Sequence, residues 1–456
     1  MNRRKNDLNK KGTSVAEHCM LHSKQNLQQA GITLVALVVT IIVLLILAGV
    51  TISLALGDNG IIGKAQEASN MYANASKDEK KSLNDLSDEI SRLSRRGDDE
   101  GGSGGGESQS GTPTGMKNAA NNETIYKTES ATGTVTPLST AGTTTVKDNK
   151  NNEIKVPKNF GIAYDSGDNV ADGIVIEDTS HNQYVWIPVG TITNSSGASK
   201  TIDLIRSNFY GTTTSNAETV IDYSFYEYNE TSGSSYGNTK AKNISEFVSS
   251  ANSNKGYYLA RYEAGIDANQ DQYNYAGCSG YGASMTYGDS TKEIKKDGTV
   301  KPLSKAGVGV WNAVTQPEAA TICQAMYTKT ANGVESDLIN SFAWDTAIDF
   351  IQKCGAESNS SSYATTKGQS TDTSNPQTTG TNTLLATSST DQQCKIFDMA
   401  GNCLEWSTET STGNSGSNPC VRRGGSFDST FNTSYRCGNN TAHRNKYFSF
   451  RPLLYL

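Results

Sequence analysis

The chain has 456 residues, 19% of them charged and 35% hydrophobic in the broad sense, with a formal net charge of −6. At roughly 150 residues per domain it holds two or three domains and can bury a sizeable core. The acidic balance argues against a basic nucleic-acid footprint, 43 Gly against 9 Pro excludes a collagen-like chain, and four His leave little room for a His-based metal centre. The 21 Tyr against 11 Phe suit an exported binding protein better than a cytosolic metabolic enzyme.

In chain order, the first feature is the uncharged apolar run over 32–56, ITLVALVVTIIVLLILAGVTISLAL. As a helix it is roughly 37 Å long, enough to span a bilayer. Arg3, Arg4, Lys5, Lys10, Lys11 and Lys24 precede it, against Asp7 and Glu17. This excess of cations predicts a cytoplasmic N-terminus, a single span with the membrane as partner, and a membrane-anchored chain whose remainder is extracellular. No small-residue cleavage site follows the run, so an ordinary secretory signal fits poorly.

Leu83, Leu86, Ile90 and Leu93 recur at helical spacing. They predict either a lateral contact between stalks or an amphipathic helix folded back on a domain. Residues 97–115, GDDEGGSGGGESQSGTPTG, cannot bury a core and read as a tether with a root-mean-square span of roughly 22–26 Å. Residues 116–172 read as an irregular lead-in. Strands are predicted at Gly173–Ile176, Tyr184–Val189 and Gly256–Glu263. Thr315-Gln316-Pro317-Glu318 forms a capping-box signature that opens a helix with Ala319, Ile322, Cys323 and Met326 on one face. A second helix is predicted from about Ser341 to Cys354, with Trp344, Ala347, Ile348 and Ile351 inward and Gly355 as its stop. Residues 356–393 read as a Ser/Thr/Asn-rich surface insertion.

Two resemblances follow. Ala30-Gly31-Ile32-Thr33-Leu34 and the apolar run resemble a type IV prepilin N-terminus. The resemblance implies a 1–31 leader cut between Gly31 and Ile32 by a prepilin peptidase, methylation of Ile32, a pilin-like helix over 32–96, and other pilins as partners. Ala36 stands where that family usually has Glu, which suits a tip subunit better than a repeating shaft unit. The alternative on the residues alone is a plain single-span anchor.

Residues 173–456 resemble the formylglycine-generating enzymes (sulfatase-modifying factors). The resemblance rests on Trp186-Ile187-Pro188-Val189-Gly190, the Tyr-Glu strand at 257–263, the helix at 316–327, and the Leu338–Ala347 segment with its central Trp344. It also rests on Phe397-Asp398-Met399-Ala400-Gly401-Asn402-Cys403-Leu404-Glu405-Trp406, Arg423-Gly424-Gly425-Ser426-Phe427, and Phe450-Arg451-Pro452. It implies an α+β fold: a long N-terminal hydrophobic helix followed by a C-type-lectin-like domain. That fold also occurs in ligand-binding phage proteins and in targets of diversity-generating retroelements.

The family's oxidase binds copper through two Cys just after the Gly-Gly-Ser turn. The matching stretch 427–436 has none, so neither copper nor oxidase activity is expected. The enzyme alternative is covalent oxidase chemistry carried by Ser429 or Cys437. The Gly-Asn-x-x-Glu-Trp loop implies a structural Ca²⁺ held by the carboxylates of Asp398 and Glu405 and the carbonyls of Gly401 and Cys403. The residues read equally well as a turn capped by Asp398, with Glu405 paired to Arg422 or Arg423. The lectin-like comparison places ligand contacts at Phe427, Asp428, Phe431, Asn432, Tyr435, Asn439, Asn440, Asn445 and Tyr447, for a protein or glycan ligand. The alternative there is a solvated loop whose aromatics pack inward. The expectation is a prepilin-like surface protein displaying a non-catalytic binding domain, with a ligand-free structural minor pilin as the other reading.

Overall fold

In the computed structural model the described residues are 111–207, 225–227, 237–266, 296–355, 378–380, 392–412, 417–429, 431 and 433–456. All belong to the compact unit Ser108–Leu456; the unit Met1–Glu107 lies outside the described residues.

The unit opens with five short strands, β1 (Thr112–Asn118), β2 (Thr124–Lys127), β3 (Thr144–Lys147), β4 (Glu153–Val156) and β5 (Phe160–Ile162). The lead-in expected to be irregular is therefore sheet. Its strands turn only one or two side chains each inward, such as Met116, Val146, Ile154 and Val156, so their alternation is too brief to stand out in sequence. Next come β6 (Val175–Asp178), β7 (Gln183–Pro188), the hairpin β8 (Gly190–Thr193) and β9 (Ser199–Ile202), β10 (Phe225–Tyr226), α1 (Ile244–Asn254) and β11 (Gly256–Ala260). They are followed by β12 (Gly265–Ile266), β13 (Gly309–Val310), α2 (Gln316–Gln324), α3 (Lys329–Asn332), β14 (Glu335–Leu338) and α4 (Ser341–Cys354). The chain closes with β15 (Gln392–Gln393), β16 (Ile396–Phe397), β17 (Leu404–Ser411), β18 (Cys420–Arg423), β19 (Arg436–Asn439), β20 (Phe448–Phe450) and β21 (Pro452–Tyr455).

A ten-stranded sheet runs β14-β21-β11-β7-β6-β5-β2-β1-β3-β4, antiparallel except where β2 meets β5. The C-terminal strand β21 is thus inserted between β11 and β14. A second sheet runs β10-β17-β18-β19, with β20 parallel to β17. Gly256 lets β11 close on β7: a Cβ there would lie 2.3 Å from the Trp186 ring. The helices end where local chemistry ends them. Thr315 and Glu318 cap α2 reciprocally, and the Asn340 side chain accepts the N–H of Ala343 at the start of α4.

All four tryptophans, Trp186, Trp311, Trp344 and Trp406, are buried. So are Tyr184, Tyr257, Tyr258 and Tyr455, so much of the tyrosine enrichment serves the core. Two of these hydroxyls are satisfied by backbone: Tyr257 donates to the Ala343 carbonyl (2.6 Å) and Tyr258 to that of Lys155 (3.0 Å).

Three expectations are corrected here. The described residues are 34% strand and 16% helix with four helices, so the α+β assignment with a long N-terminal hydrophobic helix gives way to a mainly β architecture. The single-span membrane partner and the membrane-anchored placement are likewise corrected to what is seen: no helix among the described residues is long and apolar enough to cross a membrane. The longest, α4, has 14 residues, roughly 21 Å, and carries Asp345, Asp349 and Lys353. The expected 32–96 helix and the processing residues Gly31 and Ile32 lie outside the described residues.

Candidate functional site

β17 is buried along its whole length, yet it carries Glu405 and Glu409. Each is matched by arginines brought from elsewhere in the chain. Arg451 donates from Nε and Nη2 to Glu405 (Nη2–Oε1 2.6 Å), from Nη2 also to the Phe397 carbonyl, and from Nη1 to the Ala260 carbonyl. Glu409 receives Arg206 (3.1 Å), Arg423 (3.2 Å) and Arg436 (2.9 Å). Arg423 (2.6 Å) and Arg436 also grip Asp345 on α4. Arg423 and Arg436 lie directly opposite each other on β18 and β19, a like-charge pair made tolerable by the two carboxylates between them. Burial alone would push the Glu409 carboxyl up, but Arg436, Arg423 and Arg206 outweigh it and hold it at about 2.

This network fixes the segment between β18 and β19. Arg423 Nε donates to the Tyr435 carbonyl (3.2 Å), and Trp344 Nε1 donates to that of Thr433 (2.8 Å). The Arg423 guanidinium also lies over the Trp344 ring, 5.3 Å from its centroid. Gly424 takes φ +79°, and a Cβ there would meet the Met399 carbonyl at 2.8 Å and the Trp344 ring at 3.3 Å. Only glycine allows the turn to sit this close to α4.

What the braced segment presents is an aromatic pair. Phe431 and Tyr435 stack with centroids 4.0 Å apart and planes 2° from parallel. Phe431 is 40% exposed; with Tyr164 it forms the exposed large hydrophobics of the described residues. Tyr435 is half-buried, and its hydroxyl is pushed up to about 12 by burial and the neighbouring Cys437 thiol. Arg422 donates to Cys437 Sγ (3.5 Å) and packs over the Phe448 ring. Asp428 and Asn440 are exposed nearby in sequence.

The other expected contact residues fall differently. Phe427 is fully buried against Tyr447, with centroids 5.0 Å apart, and its N–H donates to the Asn402 carbonyl (2.7 Å). Asn439 and Asn445 are buried and Tyr447 is half-buried. These four belong to the packing beneath the surface. Asn432 lies outside the described residues. Ser429 Oγ accepts the Ser426 N–H (3.1 Å) and lies 2.9 Å from the Ser426 hydroxyl, in a turn-closing arrangement.

The expected Ca²⁺ loop is organised around a residue that sequence reasoning missed, Glu263. It accepts the Cys403 N–H (2.8 Å) and the Asn402 side-chain amide (2.6 Å). Burial, then Asp398 and Glu405, push its carboxyl well above the usual range. Asp398 accepts the Gly380 N–H (2.8 Å). Glu405 pairs with Arg451, not with Arg422 or Arg423. With Glu405 committed to Arg451, Asp398 and the Gly401 and Cys403 carbonyls would need water to complete the six to eight oxygens that Ca²⁺ takes. No group of three or more His, Cys, Asp or Glu placed to hold a metal occurs among the described residues. Thermal unfolding with and without EDTA is therefore expected to give midpoints within about 1 °C; a drop of several degrees on chelation would restore the ion.

Arg206, Asp345, Glu409 and Arg436 were likewise not legible as a unit. A Glu four residues after Glu405 on one strand hints at a buried pair, but the partners come from strand neighbours and a helix far away in sequence. No known protein family, curated protein or solved structure matches the chain.

Proposed function

We propose that this chain is a non-catalytic binding protein, of the lectin-like type its C-terminal motifs resemble, that grips its ligand on the Phe431–Tyr435 face. The observation carrying this reading is the parallel, part-exposed aromatic pair mounted on a buried arginine–carboxylate network. A rigid aromatic platform offers contact area at low entropic cost. Asp428, exposed three residues before Phe431, adds a polar side chain close in sequence to the pair. The 427–436 stretch has Ser429 and no thiol, and this favours binding over oxidase chemistry.

The test is a screen of the full-length chain on glycan and protein arrays, followed by titration of the ligand found. Phe431→Ala combined with Tyr435→Ala is expected to weaken that ligand about 30-fold or more, as loss of a central aromatic anchor does. The circular dichroism should stay native, because Phe431 and Tyr435 are part-exposed and lie outside the buried core. Unchanged affinity in the double variant, or no ligand for the parent chain on either array, overturns the reading.

A further inference from the structure

Cys354 ends α4 and Cys394 directly follows β15, on either side of residues 355–393, and the fold returns them to one place. Both pack on the edge of the core built around Trp186, Tyr257 and Trp344. Cys354 is the last residue of α4, whose end is fixed by the Gly355 N–H donating to the Ile351 carbonyl (2.7 Å). A Cβ built on Gly355, the next residue, would lie 3.5 Å from Cys394 Sγ. The other side of Cys394 is equally close-packed: a Cβ on Gly173 would be 2.2 Å from its carbonyl oxygen.

The backbone at Cys394 adds a second observation. Cys394 and Lys395 form the two-residue turn between β15 and β16, with φ of 46° and 67°. Such a turn favours Asn-Gly, because both central residues take positive φ. A cysteine here sits in an unfavourable left-handed conformation, held by the packing on both sides. The turn aims the thiol at the end of α4.

We propose that Cys354 and Cys394 are a disulfide-forming pair that ties the base of the 355–393 segment when the chain meets a small-molecule disulfide oxidant. Cys354 loses its proton to solvent, and its thiolate attacks one sulfur of R–S–S–R. An R–S–protein mixed disulfide forms and one RS⁻ departs. The Cys394 thiolate then attacks the Cys354 sulfur, forming the internal bond and releasing the second RS⁻. Two protein thiols are oxidised by two electrons, the oxidant becomes two thiols, and two protons move between them. Burial pushes the Cys354 thiol up to about 11 and Cys394 well above the usual range, the latter with a further push from Cys354 itself. Exchange therefore quickens with rising pH. No second thiol contributes to the upward shift of buried Cys323 or Cys403.

The experiment incubates the folded full-length chain with oxidised glutathione at pH 8.5, then denatures, alkylates and digests it. Two of the eight cysteines should escape alkylation, and the Cys354 and Cys394 peptides should appear joined and two hydrogens lighter than their sum. The oxidised chain should melt roughly 5 °C above the reduced one, since the bond closes a long loop. In Cys354→Ser the joined peptide and the melting difference should both vanish, while the circular dichroism stays native. Full alkylation of both residues after oxidation of the folded parent, or Cys394 joined to a different cysteine, overturns the proposal.

Discussion

Glu409→Ala is expected to destabilise the Ser108–Leu456 unit by about 3–5 kcal/mol, the usual cost of breaking a buried ion network by removing one member. The variant takes from Arg206, Arg423 and Arg436 the carboxylate they share, and leaves Asp345 to pair with Arg423 and Arg436. Both acids and Arg423 are fully inaccessible, so water cannot replace the lost partner without opening the sheet. The measurement is urea unfolding, read as a fall in midpoint at unchanged slope. Because Arg423 and Trp344 hold the carbonyls of Tyr435 and Thr433, ligand affinity should fall with stability. A loss under 1 kcal/mol would mean that the network does not form as described. Glu409 also sets an acid limit. Its carboxyl is held at about 2 against an ordinary 4.5, so its contribution is complete above pH 4.5 and is lost as pH falls toward 2.

Glu227 works in the opposite direction. Its carboxylate oxygens accept the Ser341 N–H at the head of α4 (2.7 Å) and the Thr408 hydroxyl (3.1 Å). Burial pushes its carboxyl from 4.5 to about 7, against the pull of the Ser341 hydrogen bond and Arg206, with Glu409 adding to the rise. The folded state then holds a proton that the unfolded chain releases between pH 4.5 and 7. Its contribution is complete below pH 4.5 and is lost as pH rises to 7, by up to roughly 3 kcal/mol. Asp337, pushed up to about 6 by burial, acts with the same sign from 3.8 upward. Glu227→Gln imitates the protonated form. It is expected to match the parent at pH 4 and exceed it by roughly 3 kcal/mol at pH 8. Parallel stability-against-pH curves for the two proteins would refute this.

Much of the candidate site escaped sequence reading for one reason: charges in a core are assigned by strand order, which no local pattern encodes. Arg422 and Arg423 adjoin the Gly-Gly-Ser turn, and either is a natural partner for Glu405. Indeed Glu405 and Arg423 are cross-strand neighbours. Yet Arg451 reaches Glu405 from the β20–β21 junction, while Arg423 turns to Glu409 and Asp345. Similarly, composition marks 427–447 as rich in aromatic and amide side chains but does not say which point inward. Phe427, Asn439 and Asn445 are buried, and Phe431 and Tyr435 stack part-exposed.

The amino-acid order alone determined features whose physics spans a few residues. The Thr315–Glu318 capping box, the helical stripe through Trp344, Ala347, Ile348 and Ile351, and the continuous apolar run of β7 each satisfy their own backbone or bury their own face. Tertiary structure decided the rest. It joined β1–β5 to the same sheet as β7 and β11, placed β21 between β11 and β14, and matched each buried carboxylate to its guanidinium. Those outcomes depend on which distant segments exclude water together, and a buried charge is stable only beside a partner that the chain's path, not its spacing, delivers.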